Sequence, residues 1–130
     1  MADDRVVGAD RNSRIASDAR AALDGRGTVE RVSRVSHHPD RNRYELAVDG
    51  ELAGHLDLLP GGASVILAHT EVDGRFEGQG IGGELVRETI LDLDKQGKTV
   101  IPTCPFAAAY IKRHPELAQY VDASMRSQYQ

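Results

Sequence analysis

The segment VDGRFEGQGIGG, from Val72 to Gly83, separates two kinds of hydrophobic pattern in this chain. The residues before it alternate with a period of two and those after it have helical spacing, which predicts a strand, a glycine-rich loop and a helix. The unpaired N–H groups and the dipole of a helix N-terminus favour an anion, and glycines let a bulky diphosphate approach the backbone. We therefore interpret the loop as a phosphate-binding site; a turn that merely needs unusual dihedral angles is the alternative.

The chain after the loop predicts a helix, a strand and a second helix. Apolar residues on one helical face come first, and a glycine suited to a helix C-terminus follows them. These residues are Leu85, Val86, Ile90, Leu93 and Gly97. The short apolar segment from Thr99 to Ile101 is connected to the strand before the loop by a helical crossover, so we expect the two strands to be parallel. Pro105 suits the first turn of the second helix.

The chain before the loop predicts an antiparallel meander. Four segments alternate between apolar and polar residues, and turn-forming residues such as Asp49-Gly50 and Pro60-Gly61-Gly62 separate them. The segments run from Val29 to Ser36, Arg43 to Val48, Glu51 to Leu58 and Ser64 to Val72. With the downstream elements, they indicate an α/β (α+β) fold built on a mixed sheet.

Composition excludes several classes of function. The 130 residues carry 16 Lys+Arg against 20 Asp+Glu, a net charge of −4, so the chain lacks the basic excess that coats nucleic acid. One cysteine permits no internal disulfide and no cysteine-based metal cage, and we assign no metal ligands. No apolar run is long enough to cross a membrane and the first residues do not resemble a signal peptide, so we expect a soluble, cytoplasmic protein.

We expect three regions along the chain. Residues 1–28 mix charged and small residues without a motif, which predicts a flexible or loosely docked extension. Residues 29–123 carry all of the predicted strands and helices and form one domain, as the length of the chain permits. Residues 124–130 are polar, and we expect them to form a frayed tail.

Two familiar phosphate motifs do not fit the glycine loop. Gly78, Gly80 and Gly83 have the G-x-G-x-x-G spacing of dinucleotide-binding folds, but the next strand lacks the acidic residue that binds the ribose. A meander also precedes the loop instead of a βαβ unit. Gly97-Lys98-Thr99 imitates the end of a Walker A loop, but Asp92 stands where that motif needs a glycine. Both interpretations are rejected.

The loop and the order of elements resemble the Gcn5-related N-acetyltransferase (GNAT) family. The family pattern, Gln or Arg, two residues, Gly, one residue and Gly or Ala, is similar to Glu77 to Gly82, and Gly83 follows. The resemblance implies that acetyl-CoA is the cofactor, held by the strand residue Val72 and the backbone at Gly78, Gln79, Gly80, Ile81, Gly82 and Gly83. Glu77 departs from the pattern, because a carboxylate repels a diphosphate, and Arg75 could supply the missing charge.

The resemblance extends to the segments HTEV (residues 69–72) and VIPTCPF (residues 100–106), and it covers Arg43 to Val121. Together with Tyr110 and His114-Pro115, they are similar to a small GNAT subfamily with a cysteine after the strand that follows the glycine helix. The chemistry of Cys104 also points to the reacting centre, because a thiol at a helix N-terminus has a lowered pKa and the thiolate is the nucleophile. A small buried hydrophobic residue is the alternative interpretation of Cys104.

The resemblance implies transfer of an acetyl group from acetyl-CoA to an amine of unknown identity. Cys104 either carries the acetyl group or assists a direct attack by the amine. Tyr110 resembles the family's general acid, His69 is a candidate base or substrate contact, and Arg113 is a candidate contact for a CoA phosphate. A module that binds or senses acyl-CoA without turnover is the alternative function.

Overall fold

The computed structural model describes residues 32–130 of the chain. Its strands and α-helices begin with the predicted meander and end with the predicted parallel strand and helix. They are β1 (Ser33–His38), β2 (Arg43–Val48), β3 (Glu51–Gly61), β4 (Ser64–Val72), α1 (Ile81–Lys95), β5 (Thr99–Pro102) and α2 (Pro105–Arg113). The predicted extension over residues 1–28 and the predicted start of the first strand at Val29 lie outside the described residues.

The five strands form one mixed sheet in the order β1-β2-β3-β4-β5. Neighbours from β1 to β4 are antiparallel, and β5, reached through α1, runs parallel to β4. Asp49 and Gly50 both have positive φ, as a two-residue hairpin turn between β2 and β3 requires. Gly97 ends α1 with a φ of +79°. The predicted mixed α/β fold is confirmed.

Both α-helices pack on one side of the sheet, which we call the inner face. Tyr44, Leu46 and Val48 point to this face, as their alternation predicts, and all three are buried. The α1 residues with core-facing spacing are buried against them: Leu85, Val86, Ile90 and Leu93. The helices in the described part of the chain all fall short of the length and apolar character that a membrane span needs.

The opposite side of the sheet, which we call the outer face, is polar where β2, β3 and β4 lie side by side. Its cross-strand neighbours form two rows, Arg43, Asp57 and His69 in one and Glu45, His55 and Glu71 in the other. A β-bulge borders these rows, because the pairs Leu58–Leu67 and Asp57–His69 leave Ala68 as an extra residue in β4. The bulge resets the alternation of β4, so that Leu67 is buried in the core and His69 is exposed.

The predicted end of the third strand was wrong. β3 continues through Pro60 to Gly61, and the turn that follows contains Gly62. Pro60 lies beyond Asp57, the last β3 residue that pairs with β2, and a proline is tolerated where a strand lacks a neighbour on one side.

The end of the chain is also not frayed. Residues Arg126–Tyr129 form a short 3-10 helix, and the Tyr129 side chain is buried. The Arg126 guanidinium donates to the Val121 carbonyl at 2.9 Å. Polar composition concealed this packing, because a single buried aromatic ring and one guanidinium contact are enough to fix the segment.

The buried Tyr44 of β2 is linked to α1 and its C-terminal end by hydrogen bonds. The Tyr44 hydroxyl donates to Asp92 Oδ2 at 2.5 Å and accepts from Gln96 Nε2 at 3.4 Å. Burial, with the nearby Asp92 carboxylate, raises the pKa of Tyr44, so its hydroxyl remains a neutral donor.

Tyr44→Phe removes this donor from the Asp92 carboxylate, and we expect the substitution to lower the free energy of unfolding by about 1–3 kcal/mol in urea denaturation. Tyr120→Phe is the control, and equal losses in both variants would contradict the prediction.

Candidate active site

The parallel strands β4 and β5 separate after Leu67. β5 pairs with β4 only along residues 64–67, so residues 68–72 of β4 have no neighbouring strand on that side among the described residues. The chain leaving β5 turns across the point of separation, because the Cys104 N–H and the Thr103 hydroxyl both donate to the Leu67 carbonyl, at 2.9 and 3.2 Å. The open edge of β4 therefore begins beside Cys104.

Cys104 is the N-cap residue of α2, at the position that the sequence predicts. Its backbone is extended, and Pro105 follows as the first residue of the helix. The thiol sulfur lies 3.5 Å from Thr70 Oγ1 on β4, a hydrogen-bonding distance for sulfur. Cys104 is 3% exposed, so the sulfur is enclosed between the end of β4 and the first turn of α2.

These surroundings lower the pKa of the Cys104 thiol. Burial alone would raise the pKa, but hydrogen bonds from the Thr70 hydroxyl and from the N–H groups of Ala107 and Phe106 stabilise the thiolate and outweigh it. The thiolate is the reactive form of cysteine. These surroundings therefore favour the thiolate form of Cys104, and its place at the reacting centre stays a prediction.

The glycine loop enters α1 in a conformation that glycine adopts most readily. Gly78 and Gly80 have φ angles of +81° and +77°, with open space where a Cβ would stand. Gly80 is the N-cap of α1, and the Glu84 N–H makes the first intrahelical bond, to the Gly80 carbonyl at 3.0 Å. The N–H groups of residues 81–83 precede this ladder, which is the arrangement that binds anions at helix N-termini.

Gly82 and Gly83 allow close packing of the two helices, which the sequence did not predict. A Cβ on Gly82 would lie 2.7 Å from the Phe106 ring, and a Cβ on Gly83 would lie 2.7 Å from the Tyr110 ring. The absence of side chains therefore lets α2 pack closely on the first turn of α1. This contact places the N-terminus of α1 and Cys104 at the same end of the helix pair.

The charges beside the loop are already paired with each other. Arg75 Nε lies 3.1 Å from Asp73 Oδ1, and Arg75 Nη1 lies 3.7 Å from Glu51 Oε1. Hydrogen bonds from the Arg75 side chain and from its backbone N–H lower the pKa of the Asp73 carboxyl. The idea that Arg75 supplies to the diphosphate the charge that is missing at Glu77 stays a prediction.

His69 is not brought together with Cys104. Its side chain lies on the outer face, 60% exposed, with Nε2 3.6 Å from Glu71 Oε1. Thr70, the next residue, contacts the thiol from the inner face. The bulge at Ala68 turns His69 away from the face on which Leu67 is buried. Its role as a base or substrate contact stays a prediction.

Tyr110 makes contacts that link the two helices. Its hydroxyl accepts a hydrogen bond from Arg87 Nε at 3.3 Å, and its ring lies against the His114 ring with centroids 4.1 Å apart. Arg87 also donates to Glu116 at 2.7 Å. The structure thus joins the Tyr110 hydroxyl to α1 instead of to Cys104, and its proposed role as a general acid receives no support from geometry.

The other predicted cofactor residues lie in β4, in the glycine loop with the first turn of α1, and in α2. Val72 is the last residue of β4 and packs partly against the core. Gln79 is exposed in the loop. The Ile81 side chain is buried, so the backbone N–H is the part of Ile81 that belongs to the predicted anion site. Arg113 is exposed in the last turn of α2. Their contact with a cofactor stays a prediction.

Thr70 is the site residue that sequence reasoning missed. It appeared only as part of the segment HTEV, and nothing in its spacing indicated that it meets Cys104, 34 residues later. On the outer face, the rings of His55 and His69 lie with their centroids 6.4 Å apart. In the range 32–130, no three His, Cys, Asp or Glu side chains come together in a way that could hold a metal ion.

Comparison with known protein families agrees with this geometry. Residues 43–121 match a family model described as GCN5-related N-acetyl-transferase, and the matched range runs from β2 past the end of α2. No curated protein matches the chain closely enough to count as a relative. Members of the family generally use acetyl-CoA as a co-substrate. Since the match covers more than half of the chain and includes both the glycine loop and Cys104, the chain belongs to the GCN5-related N-acetyltransferase family.

Proposed function

We propose that the protein is an acetyl-CoA-dependent N-acetyltransferase in which Cys104 accepts the acetyl group and passes it to an amine. The observation that carries the proposal is the environment of the thiol. Cys104 is the N-cap residue of α2, the pKa of its thiol is lowered, and it lies where β4 and β5 separate. Membership of the family supports the acetyl-transfer part of the proposal.

The residues around the open edge fit acetyl-CoA, which supplies an acetyl group as a thioester when it is bound. The N–H groups of residues 78–83 would hold the diphosphate at the N-terminus of α1. The unpaired edge of β4, ending at Val72, would hydrogen-bond the amide groups of the pantetheine arm in the manner of an added strand. Open space beside Gly78 and Gly80 supports this fit, because it leaves their backbone accessible.

The proposed chemistry has two steps. In the first, the Cys104 thiolate attacks the carbonyl carbon of the acetyl group, a new S–C bond forms, and the bond to the CoA sulfur breaks, leaving that sulfur to take up a proton. In the second, an uncharged amine attacks acetyl-Cys104, the amide C–N bond forms, and Cys104 departs as a thiolate. The hydrogen bonds from Thr70 and from the first turn of α2 favour both steps, because they stabilise Cys104 as nucleophile and as leaving group.

We assign His69 to the acceptor side of the reaction. It is exposed on the outer face, on the part of β4 that has no β5 neighbour, and Glu71 lies 3.6 Å from its Nε2. Imidazole is the commonest general base in enzymes. His69 would therefore receive, by way of solvent, the proton that the amine loses when it becomes an amide.

A module that binds acyl-CoA without turnover is the second candidate. The 3% exposure of Cys104 favours it, because a nucleophile must meet its substrate and this sulfur is largely enclosed. The two candidates share the cofactor site and differ in whether Cys104 forms a bond with the acetyl group.

Titration with acetyl-CoA, followed by backbone amide shifts of labelled protein, tests the cofactor site. We expect saturable shifts centred on residues 78–83 and Cys104. Alanine at the φ of +77° that Gly80 adopts is strained by about 1–2 kcal/mol, which favours another conformation of the free loop. Because binding must then restore the original conformation, Gly80→Ala should weaken binding by about tenfold. Gly74→Ala is the matched control, because Gly74 lies in the same loop without positive φ and with open space at its Cβ position. No shifts at millimolar acetyl-CoA would overturn both candidate functions.

A further inference from the structure

The outer face of the sheet carries two exposed leucines, one at each end of β3. Leu52 and Leu59 are 48% and 53% exposed, the highest values for large hydrophobic side chains among the described residues. Leu59 follows the buried Leu58, and Leu52 pairs with Ala47, which alternates with the inward-pointing residues of β2. The two leucines therefore flank the two polar rows of the outer face.

A β-bulge keeps Leu52 on the outer face. The pairs Leu46–Gly54 and Ala47–Leu52 leave Ala53 as an extra residue in β3. Regular alternation from Gly54 would turn Leu52 to the inner face. The strand thus exposes a leucine that a regular ladder would bury.

The two polar rows are complementary to each other in charge. A two-fold axis in the plane of the outer face, running across the strands at Leu56, would place each strand against the same strand of a second copy. Each strand then opposes a basic side chain to a carboxylate of the other copy. The pairs are Arg43 with Glu45 on β2, His55 with Asp57 on β3, and His69 with Glu71 on β4.

The same two-fold operation brings the exposed leucines together. Leu52 and Leu59 occupy the next outer positions of β3 beyond the polar rows, one on each side of Leu56. Leu52 of one copy therefore meets Leu59 of the other, and the contact occurs twice. Ala47 beside Leu52 and Ile66 beside Leu59 widen these apolar ends. Both exposed leucines are covered in this arrangement, which is favourable in water.

The polar rows retain hydrogen-bonding capacity for a second copy. The contacts between the same groups within one copy are at or beyond the usual limit for a hydrogen bond. They are Arg43 Nη1 to Glu45 Oε2 at 3.5 Å, His55 Nε2 to Asp57 Oδ2 at 3.6 Å, and His69 Nε2 to Glu71 Oε1 at 3.6 Å. A guanidinium has five donors and a carboxylate oxygen accepts more than one hydrogen bond, so contacts across the interface add to these.

The size of the face indicates a weak dimer. Four strands are about 20 Å wide, and β3 between its exposed leucines is about 25 Å long, so a pair of copies buries about 1,000 Å² in total. This is the lower limit for a specific interface, and we expect a Kd on the order of 10–100 µM. His69 lies at the rim, because residues 68–72 of β4 have no further strand beside them among the described residues, so solvent still reaches its ring.

We propose that the outer face is a self-association surface that binds a second copy of this chain, with the two β3 strands crossing at Leu56. The partner is the same chain because one operation matches both the charges and the leucines of this face. The inference is independent of acetyl transfer, and its test needs no cofactor.

Sedimentation of the full chain between about 5 µM and 1 mM, a range that brackets the expected Kd, tests for the dimer. The average mass should rise with concentration towards that of two chains, and backbone amide shifts at Leu52, His55 and Leu59 should change over the same range. Leu59→Asp and Leu52→Asp should each raise the Kd by at least about tenfold, because they disrupt the same contact.

A mixing experiment tests the pairing of the polar rows. Arg43→Glu and Glu45→Arg should each prevent self-association, because like charges then face each other across the axis. An equimolar mixture of the two variants should restore the dimer, since each altered residue then meets an opposite charge. The matched controls are Lys95→Glu and Asp94→Arg, exposed charges at the end of α1 on the inner side of the sheet, and both should associate like the unchanged protein.

The outcomes are decisive for the dimer. A protein that stays monomeric at 1 mM overturns the inference, whether residues 1–31 or a different molecule covers the face. Association that survives both leucine substitutions, or amide shifts that map to the helices, overturns it as well. If the two charge variants stay monomeric together while the unchanged protein dimerises, the pairing of the polar rows is wrong. The titration with acetyl-CoA decides the proposed function separately, whichever of these results is obtained.

Discussion

Replacement of Cys104 by serine is expected to lower the rate of acetyl transfer by about a thousandfold. A serine hydroxyl ionises far less readily than this thiol, so it cannot become the nucleophile under the same hydrogen bonds. The fold should survive, because serine is a favourable N-cap residue and is close to cysteine in size. The measurement is formation of acetylated n-pentylamine from acetyl-CoA, determined by chromatography for the two proteins at equal concentration.

The matched control for this variant is the binding of acetyl-CoA. Amide shifts at residues 78–83 should saturate at the same concentration in Cys104→Ser as in the unchanged protein, because the loop and α1 do not depend on the thiol. A variant that transferred acetyl groups at the original rate would show that the amine attacks acetyl-CoA directly. An unchanged protein that binds acetyl-CoA but transfers nothing to any amine would favour the binding module.

Thr70→Val is expected to shift the reactivity of Cys104 to higher pH. The Thr70 hydroxyl, 3.5 Å from the sulfur, stabilises the thiolate and so helps to lower the pKa of Cys104. Valine has the same shape without the hydroxyl, so the pKa should rise and the thiolate fraction at neutral pH should fall. We expect alkylation by iodoacetamide at pH 7 to slow by about tenfold, with the rates converging at high pH where both thiols are ionised.

Thr70→Ser distinguishes this electrostatic effect from a packing effect. Serine keeps the hydroxyl and loses the methyl group, so its alkylation profile should stay close to that of the unchanged protein. If Thr70→Ser and Thr70→Val shift the profile equally, Thr70 acts only by filling space. If neither shifts it, the N–H groups of Ala107 and Phe106 are sufficient to set the pKa of the thiol.

Much of the fold was predictable because its patterns are local. The alternation of Tyr44, Leu46 and Val48 identified the inner face of β2, and Gly97 marked the end of α1. Cys104 before Pro105 indicated an N-cap, since both residue positions are set within a single turn. These features depend on neighbouring residues and need no knowledge of the rest of the chain.

The arrangements that the sequence did not predict arise where distant segments meet. The face on which His69 lies depends on the bulge at Ala68, which exists because β3 and β4 pair out of step at Asp57 and Leu58. The partner of Tyr110 depends on the packing of α2 against Gly83 and on the position of Arg87. No periodicity within one segment encodes either arrangement.

The measurement that tests the central claim most directly is the intact mass of the protein after brief incubation with acetyl-CoA, without an amine, quenched in acid. The account predicts a mass increase of one acetyl group, located at Cys104 by peptide mapping, and no increase in Cys104→Ser. Formation of acetylated amine by a protein whose Cys104 never carries an acetyl group would contradict it.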